Sequence, residues 1–142
     1  MSDRQVKKVK GWGRTPIAAP PPEQPDPQRL SPVFCLRYLS PGFTLSECSD
    51  DQAAAFVEKL YQLCQLDWNT ITNSHHRGNG YERLPIGQLK VGRPSRATDE
   101  VKELHVFRCR GDGTARILGL RLARVFEVYM IDPTGSAYDH GS

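Results

Sequence analysis

The stretch RILGLRLARVFEVYMIDPTGSAYDHGS, residues 116–142, decides the fold. Residues 116–122 alternate, with Leu118, Leu120 and Leu122 on one side and Ile117, Gly119 and Arg121 on the other. Alternation is the mark of a strand, whose successive side chains point to opposite faces. Residues 125–131 are apolar on both sides apart from Glu127, which predicts a central strand covered by helix on one side. Asp132-Pro133-Thr134-Gly135 is a turn sequence, with proline preset for the second position. The turn is expected to send the chain back along the sheet and to carry Tyr138 and His140 to a rim beside Arg116 and Arg121.

Upstream, residues 102–110, KELHVFRCR, form another alternating run ending at the hairpin-type turn Gly111-Asp112-Gly113. Residues 81–89 can be a strand with Pro85 at an edge or bend. Residues 91–98 form a polar loop with two arginines. Residues 32–40, PVFCLRYLS, read as a first strand stopped by Pro41-Gly42. Between these strands, Ser49-Asp50-Asp51-Gln52 is a capping box with two acids suited to a helix N-terminus. Ala53, Phe56, Val57, Leu60, Leu63 and Cys64 follow at helical spacing, predicting a helix to about residue 66. Asp67 can cap a second, short helix whose Trp68 and Ile71 face inward, with Trp68 as a core anchor. Residues 73–80 hold glycines and asparagines that deny regular structure.

Strands gathered after helices define an α+β layer fold. The expectation is a two-helix hairpin packed on one face of a mostly antiparallel sheet of four to five strands. The other face would be partly open. One domain is expected over residues 32–142, after a disordered, basic and proline-rich tail over residues 1–31. Of the nineteen basic and sixteen acidic residues, six and three lie in that tail, so the domain itself is neutral. A generally basic nucleic-acid surface is thereby excluded, and any anion site must be local. Cys35, Cys48, Cys64 and Cys109 show no paired metal-ligand spacing, and no run of apolar residues is long enough for a membrane span. The charged, then proline-rich start has no secretory pattern. The reading is a cytoplasmic protein with reduced thiols and no metal, cofactor or membrane attachment.

Three groups of residues could carry chemistry: His75, His76 and Glu82; Arg108, Arg110, Arg116 and Arg121; and Tyr138 with His140. Paired as hairpins, the strands are expected to gather the arginines into a small anion site with the histidines at its rim. Such a set suits cleavage of an RNA phosphodiester by its own 2′-hydroxyl. A histidine or Glu82 takes the proton from the attacking hydroxyl and a histidine returns one to the leaving oxygen. The arginines offset charge on the phosphoryl group. Each group also has a structural explanation. The histidines can be solvated loop, Arg108 and Arg110 the polar side of an edge strand, and His105 a half-buried core residue.

The order of elements resembles the RelE/ParE superfamily of small bacterial toxins. The likeness rests on Leu60-Tyr61-Gln62-Leu63 with Leu66-Asp67-Trp68, on the loop from His75 and His76 to Tyr81 and Glu82, and on the final third. There it follows Gly119-Leu120-Arg121, Val125-Phe126, Asp132-Pro133 and Tyr138-Asp139-His140. It spans residues 33–140. The resemblance implies a toxin or toxin relative that acts as an endoribonuclease. By position it makes Arg108, Arg116 or Arg121, with Tyr138 and His140, the site groups; joined to the reading of the residues, this gives His75 or His76 and His140 as proton carriers, Glu82 as a further candidate base, and Arg108, Arg116, Arg121 and Tyr138 as substrate binders. The implied partners are RNA, including ribosome-bound mRNA, and a cognate antitoxin protein. The non-enzymatic alternative is an accessory module of a mobile element that docks on a protein through the open sheet face.

Overall fold

The structure, a computed structural model, describes residues 25–73, 80–109 and 114–138. Five strands form one sheet in the order β1-β5-β4-β3-β2. They are β1 (Val33–Cys35), β2 (Tyr81–Pro85), β3 (Glu103–Arg108), β4 (Arg116–Leu122) and β5 (Val125–Asp132). Two helices, α1 (Asp50–Cys64) and α2 (Trp68–Thr72), lie between β1 and β2 in the chain. The architecture is α+β, and β4 is the middle strand.

The sheet is mixed, which corrects the mostly antiparallel expectation. β2, β3, β4 and β5 pair antiparallel, but β1 runs parallel to β5, with Val33 opposite Val125 and Cys35 opposite Glu127. β1 is also shorter than expected. After Cys35 the chain turns, and its contact with β5 continues through two irregular backbone bonds, Ser40 N–H to Tyr129 C=O and Ile131 N–H to Phe43 C=O. Attachment to the fold starts before residue 32. The turn Pro27–Arg29 lies beside α2, Leu30 C=O accepts from Trp68 N–H, and Arg124 donates to Ser31.

The helices begin where their caps dictate. Ser49 Oγ accepts from Gln52 N–H while the Gln52 side chain accepts from Ser49 N–H, satisfying two donors that a helix start leaves orphaned. Asp67 does the same for Thr70. Phe56, Leu63, Trp68 and Ile71 then pack on Phe107, Ile117, Phe126 and Val128. Trp68 is fully buried and its Nε1–H donates to Arg124 C=O at 2.9 Å, the core anchor expected. Val57, expected on this stripe, is exposed, because α1 meets the sheet along Phe56 and Leu63, with Leu60 half-buried beside them.

The second face was expected to be partly open, and it is covered. Leu84, Leu104, Val106, Leu118, Tyr129 and Met130 are buried there beneath irregular chain that brings in Tyr38, Phe43, Ala97, Ala137 and Tyr138. A bulge makes this second core. Leu118 is opposite Met130 but Gly119 is opposite Val128, so Tyr129 is an extra residue in β5. Tyr129 and Met130 both join the loop-covered core, while Val128 and Ile131 join the helix-covered one. Gly119 is required opposite the bulge. A Cβ there would overlap the Glu127 carbonyl oxygen and lie 2.6 Å from Phe126 Cε1.

Candidate functional site

Glu82 on β2, Arg108 on β3 and Arg116 on β4 share the loop-covered face at one end of the sheet. Arg108 and Arg116 are opposite one another in the ladder. Arg108 Nε donates to Glu82 Oε2 at 2.9 Å, and both side chains are part-exposed. Arg116 is 3% exposed and its Nε donates to the Tyr138 hydroxyl at 3.3 Å.

Two local devices put these groups in place. Gly80 has φ +70° and its carbonyl accepts from Arg108 N–H at 3.0 Å; a Cβ at Gly80 would lie 2.8 Å from Arg108 Cβ. Only glycine fits that approach. The second device is Asp132. Its Oδ1 accepts from Gly135 and Ser136 N–H, both at 3.1 Å, and its Oδ2 from Ala137 N–H at 2.9 Å. The buried carboxylate thus folds the turn after β5. Lys90 N–H then bonds Ala137 C=O at 2.7 Å, and Leu89 bridges Tyr138. The turn sequence read from Asp132 therefore brings Tyr138 to Arg116, one part of what was expected of it, whereas Arg121 lies elsewhere and His140 is outside the described residues.

The charges of this cluster reach one another. Burial pushes the Tyr138 phenol above its ordinary range; Glu82 adds to the rise, and Arg116 and Arg108 oppose it. One carboxylate, two guanidiniums and one phenol are therefore concentrated in a small volume. Guanidiniums can take two phosphate oxygens in forked geometry, and a carboxylate beside them can accept a proton.

Arg121 is not part of this group. It lies five positions from Arg116 on the same strand, and alternation puts it on the helix-covered face. There its Cζ stands 4.3 Å over the Trp68 ring and its Nε donates to Ala123 C=O at 2.7 Å. The single anion site expected from four arginines therefore does not form as one unit. His75, His76, Arg110 and His140 lie outside the described residues. By chain position, residues 74–79 enter Gly80, residues 110–113 join β3 to β4, and residues 139–140 follow Tyr138. All three segments attach at the end of the sheet that holds the cluster.

A second polar group was missed in the sequence. Glu127, 6% exposed, accepts from Arg96 Nε at 3.0 Å and Nη2 at 2.9 Å, and from the Tyr129 hydroxyl at 3.0 Å. Arg96 also stacks over the Tyr38 ring at 4.2 Å. The hydrogen bonds from Arg96 hold the Glu127 carboxyl below its usual range, and burial followed by Glu127 pushes the Tyr129 phenol up. Glu127 as the lone acid in an apolar strand was the available signal; its partner lies 31 residues away. The group clamps the loop of residues 93–97 over the second core. Beside it a groove of about 340 Å³ runs between Tyr38, Phe43, Pro94 and Met130.

Among the described residues no cluster of histidine, cysteine and acidic side chains could hold a metal ion, and no helix is long and apolar enough to cross a membrane. Compared with known protein families, characterised proteins and solved structures, the chain matches none.

Proposed function

We propose that the chain is a RelE-like endoribonuclease of the toxin type, acting in the cytoplasm on RNA, free or ribosome-bound, by attack of a 2′-hydroxyl on the adjacent phosphorus. The observation that carries the reading is the gathering of Glu82, Arg108, Arg116 and Tyr138 at the sheet end where the segments bearing His75, His76 and His140 attach.

In this reading Arg108 and Arg116 grip the non-bridging phosphate oxygens, and Arg108 exchanges Glu82 for the phosphate. Glu82 or a histidine of the 74–79 segment takes the 2′-hydroxyl proton. The new 2′-oxygen–phosphorus bond forms as the 5′-oxygen bond breaks, and His140 gives the leaving oxygen its proton. The products are a 2′,3′-cyclic phosphate and a 5′-hydroxyl end. Tyr138, fixed by Arg116, positions the nucleotide. A toxin of this kind is paired with an antitoxin that covers the site.

The accessory-module reading has less support, because the sheet face it would use is buried under residues 38–43 and 89–97. The test is cleavage of a synthetic RNA, alone and on translating ribosomes, with end-group analysis. Cyclic phosphate ends are expected, with no cut at a 2′-O-methyl position. Glu82→Gln and Arg108→Gln, both at part-exposed sites, should slow cleavage by about a hundredfold or more. Absence of cleavage in both settings, with no growth arrest on expression, would remove the reading.

A further inference from the structure

The helix-covered face carries a second polar group that the ribonuclease reading does not use. Tyr81, His105 and Arg121 stand on three neighbouring strands, β2, β3 and β4, all half-buried. The Tyr81 and His105 rings are 5.6 Å apart. The Arg121 backbone N–H donates to His105 Nδ1 at 3.4 Å. That bond makes Nδ1 the acceptor, so the neutral imidazole carries its proton on Nε2. Arg121 Cζ stands over the Trp68 ring and its Nε is tied to Ala123 C=O, which leaves its two terminal nitrogens.

Each remaining polar group can donate: the Tyr81 hydroxyl, which can also accept, His105 Nε2–H and the Arg121 Nη groups. Among the described residues none of these atoms has a hydrogen-bond partner, although the residues that carry them are half-buried. Arg83, adjoining on β2, adds a second positive charge, only loosely met by Glu103 at 3.8 Å. Burial first, then Arg83 and Arg121, hold the His105 imidazole below its ordinary range, while Glu103 opposes them. The Asp26 carboxylate acts on Arg121 and Glu103 on Tyr81 and His105, yet neither accepts a hydrogen bond from these atoms, so a half-buried set of donors is left for an acceptor-rich guest to take in place of water. Donors from three strands of a twisted sheet do not share a plane, which suits a tetrahedral oxyanion better than a flat carboxylate.

We propose that Tyr81, His105 and Arg121 form an oxyanion site for a phosphate monoester, separate from the Glu82–Arg108–Arg116–Tyr138 cluster on the other face. The two are back to back: Tyr81 and Glu82 are adjacent in β2 and point to opposite faces. The site does not depend on the ribonuclease reading, since it requires binding alone.

The test is a titration of the full chain with inorganic phosphate and with a 5′-mononucleotide, followed by the imidazole resonances of His105. Saturable shifts and a rise in the His105 pKa on binding are expected, since a bound dianion favours the imidazolium. Tyr81→Phe removes one hydroxyl and little else, and it should weaken phosphate by about tenfold, the worth of one hydrogen bond to a charged group. His105→Gln, titrated by calorimetry because it lacks the reporter ring, should do likewise, and Lys102→Gln, at an exposed cation outside both groups, should leave binding unchanged. If the nucleotide binds and phosphate does not, the site reads the base and the proposal fails. It fails equally if His105 does not respond, or if Arg108→Gln abolishes binding that Tyr81→Phe leaves intact. Cleavage of RNA by the Tyr81→Phe variant is scored separately, so loss of one reading does not decide the other.

Discussion

Replacing Asp132 tests how the C-terminal turn is held. The side chain is 0% exposed and its two oxygens accept from three backbone N–H groups and from the Ser136 hydroxyl at 3.3 Å. Asp132→Asn keeps the shape and the Oδ1 bonds, but an amide N–H2 then faces the Ala137 N–H. The expected cost is one charge-assisted bond, about 1.5–3 kcal/mol. Asp132→Ala leaves all three donors without a protein partner. At about 1–3 kcal/mol for each unsatisfied group, reduced because the turn is near water, the sum is about 4 kcal/mol. Urea unfolding followed by Trp68 fluorescence reads both values. At about 4–8 °C per kcal/mol for a domain near 100 residues, the melting temperature should fall by roughly 10 °C for asparagine and 20 °C for alanine. The order matters as much as the size, because asparagine must sit between the wild type and alanine. An alanine variant within about 1 kcal/mol of the wild type would show that the carboxylate does not hold the turn, and the placement of Tyr138 beside Arg116 would lose its cause.

Gly119→Ala should destabilise by about 2 kcal/mol or more, since the new methyl meets Phe126 and the Glu127 carbonyl where the strands cannot part; chemical denaturation measures it. Ala123 has φ +57° in the two-residue turn joining β4 to β5, a position that glycine takes with less strain. Ala123→Gly should therefore raise stability by about 0.5–1 kcal/mol after the added chain entropy of the unfolded state, read as a higher melting temperature. His105 gives a pH signature. Its folded pKa lies below the ordinary value, chiefly through burial and then the Arg83 and Arg121 charges. The unfolded chain therefore takes the proton first as pH falls. Stability from His105 is complete above about pH 6.5 and is lost below it, until the folded imidazole also titrates. Thermal melts of the wild type should fall between neutral and mildly acidic pH, and those of His105→Gln should fall less.

Local chemistry was legible in the sequence. The Ser49 capping box, the Asp67 cap, the Asp132 turn and the β4 limits Arg116–Leu122 all depend on residues a few positions apart. What failed depends on distant chain. β1 is held by an edge of β5, so its three residues and parallel direction follow from Val125–Glu127 and not from its own alternation. The covered face comes from residues 38–43 and 89–97, whose first few residues read as parts of the flanking strands and whose remainder has no period to read. The arginines were grouped by kind, yet the parity of Arg116 and Arg121 was already in the strand. Counting it would have separated them. Arg96 and Glu127 show the opposite case, where one partner was conspicuous and the other lay in a loop without pattern.

The extra residue in β5 bears on how a gene for this chain could change in length. Glu127 and Asp132 are five apart, yet both face the loops, because Tyr129 absorbs one step of the alternation. A deletion of Tyr129 alone would return the strand to an unbroken two-residue rhythm and leave every flanking side chain on its present side. Loss of Val128 or Ile131 would restore the rhythm only by carrying Tyr129 or Met130 across to the helix-covered side. Of the eight codons of β5, the one for Tyr129, or equally that for its same-sided neighbour Met130, is therefore the position where an in-frame gap preserves the pattern. Its loss would also relieve Gly119 of the Glu127 carbonyl that now excludes any side chain there. Relatives of this chain should show the two changes together: a strand one residue shorter, and a residue with a Cβ in place of the glycine.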